Sequence, residues 1–210
     1  MQAVLLWILW LGFVGYAFTL APPAQPDTWD LIQRLIRFDV AGVNPLVVAL
    51  FNLMGVWPGI YAAVLLTDGR GQKIPAWPFV AGSFALGAFA LLPYLALRRP
   101  FPRWHGPVSP VLRLWNSRIL GAVWLLLSVG FLAYGLVWGS WADWWQAFQT
   151  SRFIHVMSLD FLLLCVLFPL ALGDDLSRRG VSPNSWLARV SLLPLVGPAL
   201  YLTVRPPLPD

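Results

Sequence analysis

An all-α polytopic membrane protein is the fold class that the sequence predicts, and three observations carry this prediction. Hydrophobic residues make up 59% of the 210 positions and charged residues only 11%, whereas a soluble domain carries about a quarter charged residues. Apolar runs extend over roughly 17–25 residues, the length that crosses a bilayer as a helix. The 13 tryptophans suit the boundary between lipid and water.

Six apolar runs predict a bundle of six membrane spans. The first run could instead be a cleaved signal peptide, but it lacks the basic start of one, since the first arginine is Arg34, and it contains Trp7 and Trp10. We therefore expect it to be retained. The six predicted spans are Ala3–Leu20, Pro45–Thr67, Ala76–Leu97, Ile119–Gly139, Phe153–Leu172 and Trp186–Val204.

Two connections predict short helices that lie in the membrane interface. The first, "PPAQPDTWDLIQRLIRFDVAGVN", places apolar residues at near-helical spacing beside charged ones. The second, "GSWADWWQAFQTSR", carries three tryptophans suited to the headgroup level. Each connection follows the first span of its half of the chain.

The two halves resemble each other. "PYLALRRP" closes the third run and "LYLTVRPP" the sixth, which aligns Tyr94 with Tyr201 and Arg98 with Arg205. "GFVGYAF" in the first run is similar to "GFLAYGL" in the fourth, and rough counterparts also include Pro58 with Pro169 and Asp68 with Asp175.

This similarity predicts three parts: a three-span repeat over residues 1–100, a basic, proline-rich linker over 101–118, and a second repeat over 119–210. Because three is an odd number of crossings, the second repeat is predicted to be inverted relative to the first.

The distribution of basic residues predicts the orientation. Under the six-span prediction, ten of the 14 lie on one side, which the positive-inside rule makes cytoplasmic or stromal, with both termini lumenal or periplasmic. The ten are Arg34, Arg37, Arg98, Arg99, Arg103, Arg113, Arg118, Arg178, Arg179 and Arg189, and the other four are Arg70, Lys73, Arg152 and Arg205.

Asp160, seven residues into the fifth predicted span, is the strongest candidate site residue. A charged side chain at the centre of a span costs about 2.5–3.5 kcal/mol on insertion scales, so it indicates a functional site by default. We expect it to face the protein interior, against the second span or another span, and Asn52, at nearly the corresponding depth of the second span, is one candidate partner. His155 is expected at the membrane boundary, within reach of water. The alternative for Asp160 and Asn52 is an interhelical hydrogen bond that only fixes packing.

The stretch "GDDLSRRG" follows the fifth predicted span with adjacent charges. We expect a solvated loop in which Asp174, Asp175 and Arg178 neutralise one another. The alternative is a site at the cytoplasmic mouth that binds a headgroup or polar substrate.

Several chemistries are excluded by the residues. Two histidines and one cysteine cannot form a structural zinc site or a histidine cluster, so no metal centre is expected. His105 is an unlikely second haem ligand for His155. No phosphate-binding loop or dinucleotide motif is present. The basic residues lie in short loops beside apolar runs, which indicates lipid headgroups rather than nucleic acid.

Two family resemblances follow from longer stretches. Through "NPLVVALFNLMGVWPGIYA", "IPAWPFVAGSFALGAFALLPYLALR" and "SRFIHVMSLDFLLL", the chain resembles an uncharacterised family of polytopic membrane proteins of cyanobacteria and chloroplasts. The final third also resembles the neoxanthin-synthase-like family, of the abscisic-acid-deficient type. The matching residues are His155, Asp160, Phe161, Gly197, Pro198, Leu200, Tyr201, Leu202 and Arg205. That family's second aspartate follows the first more closely than Asp174 and Asp175 follow Asp160.

These resemblances imply the thylakoid or plasma membrane of a cyanobacterium and an isoprenoid or pigment ligand. Three classes of function stay open. The first is a non-enzymatic assembly or stabilising factor that contacts lipid and subunits of a photosynthetic complex. The second is a protein that binds a carotenoid or other prenyl lipid, or an isomerase-type enzyme in which Asp160 is the general acid, Asn52 orients a polar group and His155 relays protons. The third is a small transporter.

Overall fold

The structure is a computed structural model, and it describes residues 1–68, 72–100 and 109–208. These residues form helices and contain no strand. In chain order the helices are α1 (Gln2–Thr19), α2 (Thr28–Ile36), α3 (Pro45–Asp68), α4 (Trp77–Leu86), α5 (Ala88–Leu97), α6 (Pro110–Trp115), α7 (Arg118–Trp138), α8 (Trp141–Thr150), α9 (Arg152–Arg178), α10 (Trp186–Val190) and α11 (Val196–Val204).

Four helices, α1, α3, α7 and α9, are long and apolar enough to cross a membrane. In α3, 72% of the most apolar stretch is buried within the protein, whereas in α1 and α7 the share is 17%. The exposed faces of α1 and α7 are aliphatic and aromatic, as expected of helices that face lipid. Together these features fit an integral membrane protein with α3 at its centre.

Helices α3 and α9 run parallel to each other. The start of α3 meets the start of α9 through Val47 and Ile154. Further along, the Tyr61 hydroxyl donates a hydrogen bond to the Leu164 carbonyl, 2.7 Å away. At the far end, Arg178 pairs with Asp68. Contacts that advance in step along both helices require the same direction.

The other two long helices run the opposite way. Tyr16, near the end of α1, contacts His155 near the start of α9. Gly121, near the start of α7, lies against the backbone of Leu202 at the end of α11, and Gly135 lies against Ala49 near the start of α3. The bundle therefore has two distinct ends. We call the end where α3 and α9 finish the ionic end, and the end where they begin the tryptophan end.

The third predicted span, Ala76–Leu97, is two short helices and not one. The chain breaks at Gly87, and α4 and α5 have ten residues each, or about 15 Å of helix, against about 30 Å of hydrocarbon. The two pack side by side, with Phe79 of α4 and Tyr94 of α5 only 5.5 Å apart between ring centroids. They form a helical hairpin that starts and finishes at the ionic end.

The sixth predicted span, Trp186–Val204, is broken in the same way. The break comes at Leu195, whose φ is +63°, after the five-residue helix α10 and the turn that follows it. The nine-residue helix α11 then returns to the ionic end, where Arg205 pairs with Asp175. Of the described helices, four and not the predicted six are therefore long and apolar enough to cross a membrane. An inverted repeat would make α3 and α9 antiparallel, whereas their contacts show that they run parallel.

Both connections predicted to form short helices do so, as α2 and α8, and both helices lie at the tryptophan end. Helix α8 packs onto α9 through Phe148, whose ring stacks on His155. Leu31 of α2 packs near Val47 and Ile154. The predicted grouping of Arg34 with Arg98 on one side is wrong, because α2 lies at the tryptophan end and Arg98 at the ionic end.

The predicted linker of residues 101–118 is described only from residue 109, where it contains α6. Residues 101–108, including Arg103 and His105, lie outside the described part of the chain, as does Arg70.

Candidate functional site

Asp160 is buried, as predicted, with 4% of its surface exposed. Its partner is the tip of the first hairpin. The Ala88 backbone N–H donates to Asp160 Oδ1 over 2.8 Å. Ala88 is the first residue of α5, so the carboxylate satisfies one of the amides that a helix start leaves unpaired and faces the positive end of the helix dipole.

Gly87 makes this approach possible. Its backbone has φ +52° and ψ −129°, a conformation that residues with a side chain rarely adopt. A Cβ at this position would also overlap Asp160 Oδ2. Glycine therefore serves both the break between α4 and α5 and the close contact with the carboxylate.

Asp160 lies in the wall of a cavity of about 610 Å³ between α1, α3, the first hairpin and the start of α9. Most of the wall is apolar and aromatic. The aromatic side chains are Phe18, Phe51, Phe84, Phe89 and Phe153, and the polar or charged ones are Thr28, Ser83, Arg152 and Asp160.

Two of these polar side chains donate their hydroxyl hydrogens to the backbone. The Ser83 hydroxyl donates to the Val80 carbonyl, and the Thr28 hydroxyl to the Gln25 carbonyl. Asp160 Oδ2, in contrast, accepts no hydrogen bond from the described residues. The cavity thus offers an apolar, aromatic volume with one open carboxylate oxygen in its wall.

Asn52, one predicted candidate partner, does not meet Asp160. Its side-chain amide donates to the Val48 carbonyl one turn back in α3, at 2.8 Å. Similar depth of two residues does not fix the direction in which each helix presents its side chain. Here the Asp160 carboxylate points toward α5. Asn52 therefore has a local hydrogen bond and no place in the cavity wall.

His155 is buried and joins three helices. Its Nδ1 lies 2.8 Å from the Phe148 carbonyl, and its Nε2 lies 2.7 Å from the Tyr16 hydroxyl. A carbonyl only accepts, so Nδ1 carries a proton, and in the neutral ring Nε2 accepts from Tyr16. The expected access to water is not seen, because α8 covers the ring. No contact among the described residues links His155 to Asp160.

The ionic end holds two matching groups of buried side chains. Asp68 accepts hydrogen bonds from Tyr94 at 2.9 Å and from Arg98 at 2.8 and 2.9 Å. Asp175 accepts from Tyr201 at 2.7 Å and from Arg205 at 3.0 Å. In both groups the tyrosine follows the aspartate by 26 residues and the arginine follows it by 30.

The stretch predicted as a solvated loop is the buried last part of α9, so that prediction is wrong. Arg178 pairs with Asp68 at 3.1 Å and lies 3.6 Å from Asp175, and Asp174 pairs with Arg98. Partners contributed by α3 and α5 compensate the charges, and α9 therefore continues past Leu172 into the protein.

Opposite charges set the electrostatics of this cluster. Burial lowers the pKa of Arg205, while the neighbouring Asp175 carboxylate acts in the opposite sense. For Arg98, burial also lowers the pKa, but the hydrogen bond and charge of Asp68 outweigh it, and the net direction is upward. Both arginines remain charged, because a guanidinium group is not deprotonated in proteins. The cluster ties the last residues of both hairpins to α3 and α9.

Comparison with known proteins gives no relative: no family model, curated protein or solved structure matches the chain. The described residues also contain no group of three or more histidine, cysteine or acidic side chains that could hold a metal ion.

Two site residues were missed at the sequence level, Gly87 and Arg152. A glycine inside an apolar run signals a possible interruption, and a broken apolar segment is a known pointer to a binding site in membrane proteins. The sequence around Arg152 does not indicate a binding site, since a basic residue beside a span usually indicates only the orientation of the protein in the membrane.

Proposed function

We propose that the chain is an integral membrane protein that binds a long apolar molecule of the isoprenoid class in the cavity beside the first hairpin. The observation that carries this proposal is the open Oδ2 of Asp160 in a mostly apolar and aromatic wall. Ligand sites combine an apolar lining with a few polar groups that fix orientation. A hydroxyl group on the ligand would supply the donor that Asp160 Oδ2 lacks.

Binding is better supported than catalysis. Asp160 and Arg152 are the charged side chains that line the cavity among the described residues. An arginine stays protonated and cannot serve as a base, and His155 is engaged by Tyr16 and Phe148. An isomerisation would need a second group to accept or return the proton. A binding role needs only the carboxylate as a hydrogen-bond acceptor.

The proposed membrane placement has four crossing helices and two hairpins that enter and leave from the ionic end. Charge supports it. The basic residues near the tryptophan end are Arg34, Arg37 and Arg152, and the acidic ones are Asp27, Asp30, Asp39 and Asp143. Near the ionic end the basic residues are Lys73, Arg98, Arg99, Arg113, Arg118, Arg178, Arg179, Arg189 and Arg205, and the acidic ones are Asp68, Asp174 and Asp175. By the positive-inside rule the ionic end is cytoplasmic, and both termini lie on that side.

The two halves are proposed to be parallel repeats, related by an axis along the membrane normal. The equal spacings of 26 and 30 residues in the two aspartate groups support this relation. The breaks at Gly87 and Leu195, both with positive φ, support it as well.

A second candidate function, an assembly or stabilising factor, is favoured by the tryptophans of α8. Trp141 and Trp145 expose 58% and 52% of their surface at the tryptophan end, where they suit headgroups or a partner subunit. A photosynthetic complex as that partner stays a prediction. Co-purification of membrane subunits with the intact protein, lost on changing both tryptophans to alanine, would support it.

Binding of tritiated all-trans-retinol, an isoprenoid alcohol, to the protein in lipid nanodiscs tests the main proposal. Gly55 lines the cavity, and a Cβ there meets no atom within 4 Å. Gly55→Leu should therefore fill the cavity and weaken binding about tenfold, since overpacking costs about 1–3 kcal/mol.

The matched control is Gly12→Leu in α1, where a Cβ is equally unobstructed but lies outside the cavity. It should bind retinol like the unchanged protein. Absence of retinol binding by the unchanged protein, or equal binding by both variants, would overturn the proposal.

A further inference from the structure

Arg152 lines the same cavity as Asp160, eight residues earlier on α9. At 1.5 Å per residue the two lie about 12 Å apart along the helix. Arg152 is the first residue of α9, so it stands at the tryptophan end, while Asp160 lies deeper. The cavity therefore has a cationic group toward one membrane surface and a carboxylate toward its interior.

Hydrogen bonds from its backbone N–H and its Nε hold Arg152 in place. The backbone N–H donates to the Pro23 carbonyl over 3.2 Å, and Nε donates to the Pro22 carbonyl over 2.9 Å. These bonds tie the arginine to the segment between α1 and α2. No described carboxylate lies within ion-pair distance of it, and its two terminal nitrogens donate to no described residue.

On the basis of the proposed function, we infer that the cavity prefers an amphiphile with an acidic head, a carboxylate or phosphate, held by Arg152. The guanidinium plane presents two parallel donors to such a group. The apolar chain then lies among the phenylalanines, and the deeper part of the ligand approaches Asp160. A neutral alcohol with the same chain lacks the contact with Arg152.

Two arrangements of the same ligand follow from the charges. An acidic head placed at Asp160 would have no cationic partner in an apolar surrounding, which costs free energy. The same head at Arg152 gains a charge-assisted hydrogen bond. The two side chains together therefore set the direction in which the ligand enters, head toward the tryptophan end.

The test compares all-trans-retinoic acid with all-trans-retinol, which differ in the head group and share the chain. Binding is measured in phosphatidylcholine nanodiscs at neutral pH, with partitioning into empty nanodiscs subtracted. The acid should bind about tenfold more tightly than the alcohol. Arg152→Gln should reduce this preference about tenfold, and Arg152→Lys should retain part of it, because it keeps the charge but loses the planar fork.

The control is Arg37→Gln, an exposed arginine at the same end that does not line the cavity. It should leave the preference for the acid unchanged. A preference that survives Arg152→Gln, or that is absent from the unchanged protein while retinol still binds, would overturn the inference and leave the proposed function intact. Failure of the unchanged protein to bind retinol would instead overturn the proposed function.

A further arm distinguishes the source of the acidic head. If the acidic head belongs to a membrane phospholipid, phosphatidylglycerol added to the nanodiscs should displace retinoic acid. No displacement would identify a free acidic amphiphile as the ligand. This experiment identifies the source of the ligand only. The Arg152 variants test whether Arg152 binds the acidic head.

Discussion

At the scale of single residues, a carboxylate in an apolar helix is retained here for a specific partner. Asp160 caps the start of α5 across a helix interface, and its second oxygen faces the cavity. The sequence predicted the burial of Asp160, because an ionised group in hydrocarbon must find a donor. It did not identify the donor, since a backbone amide at a helix break leaves no mark on side-chain composition.

Asp160→Leu should lower the free energy of unfolding by about 1–3 kcal/mol, because it strands the Ala88 amide. Asp160→Asn keeps an acceptor oxygen and should cost less. Thermal unfolding of the protein in detergent micelles measures both. Asp30→Leu, at an exposed position of α2, should stay within about 0.5 kcal/mol. Equal losses for the two Asp160 variants would contradict the capping role.

Asp175→Asn should lower the free energy of unfolding by about 3–5 kcal/mol, because removal of one partner leaves the buried charge of the arginines uncompensated. Asp175 is fully buried and pairs with Arg178, Arg179 and Arg205. Reduced abundance and an earlier unfolding transition are the expected readouts. Asp143→Asn, on the exposed face of α8, is the control. Similar behaviour of the two variants would show that the ionic cluster contributes little.

At the scale of helices, hydropathy predicted the long elements and failed at the two hairpins. The predicted spans Pro45–Thr67 and Phe153–Leu172 fall within α3 and α9. In contrast, Ala76–Leu97 is apolar throughout, so its composition gives the same signal whether the chain crosses or turns back. The turn depends on the backbone at Gly87 and, in the second half, on Leu195, which hydropathy does not report.

Gly87→Ala should destabilise the first hairpin, because alanine is strained at this φ and its methyl group would overlap Asp160. We expect a loss of about 1–3 kcal/mol or more in the free energy of unfolding, together with weaker retinol binding. Gly12→Ala, inside α1, should be neutral or slightly stabilising, since alanine favours helix. Unimpaired stability and binding in Gly87→Ala would exclude the tight turn at this position.

At the scale of the whole molecule, the direction of the helices decides the arrangement of the halves. The paired motifs around Tyr94 and Tyr201 were visible in the sequence and suggested a duplication. The inverted relation was derived from an odd number of crossings, and that number depended on the two hairpins being spans. In the proposed placement both hairpins return to the ionic end, the two halves enter from the same side, and most of the described basic residues lie there.

Labelling of single cysteines in intact membranes tests this arrangement most directly. Starting from Cys165→Ser, which removes the only cysteine, a cysteine is placed at Asp27, Gln72 or Pro100, and a membrane-impermeant maleimide is applied from either side. We predict that positions 72 and 100, before and after the first hairpin, label from the same side and position 27 from the opposite side. Labelling of 27 and 100 from one side and 72 from the other would mean that residues 76–97 cross the membrane, and the cavity beside Gly87 would not exist.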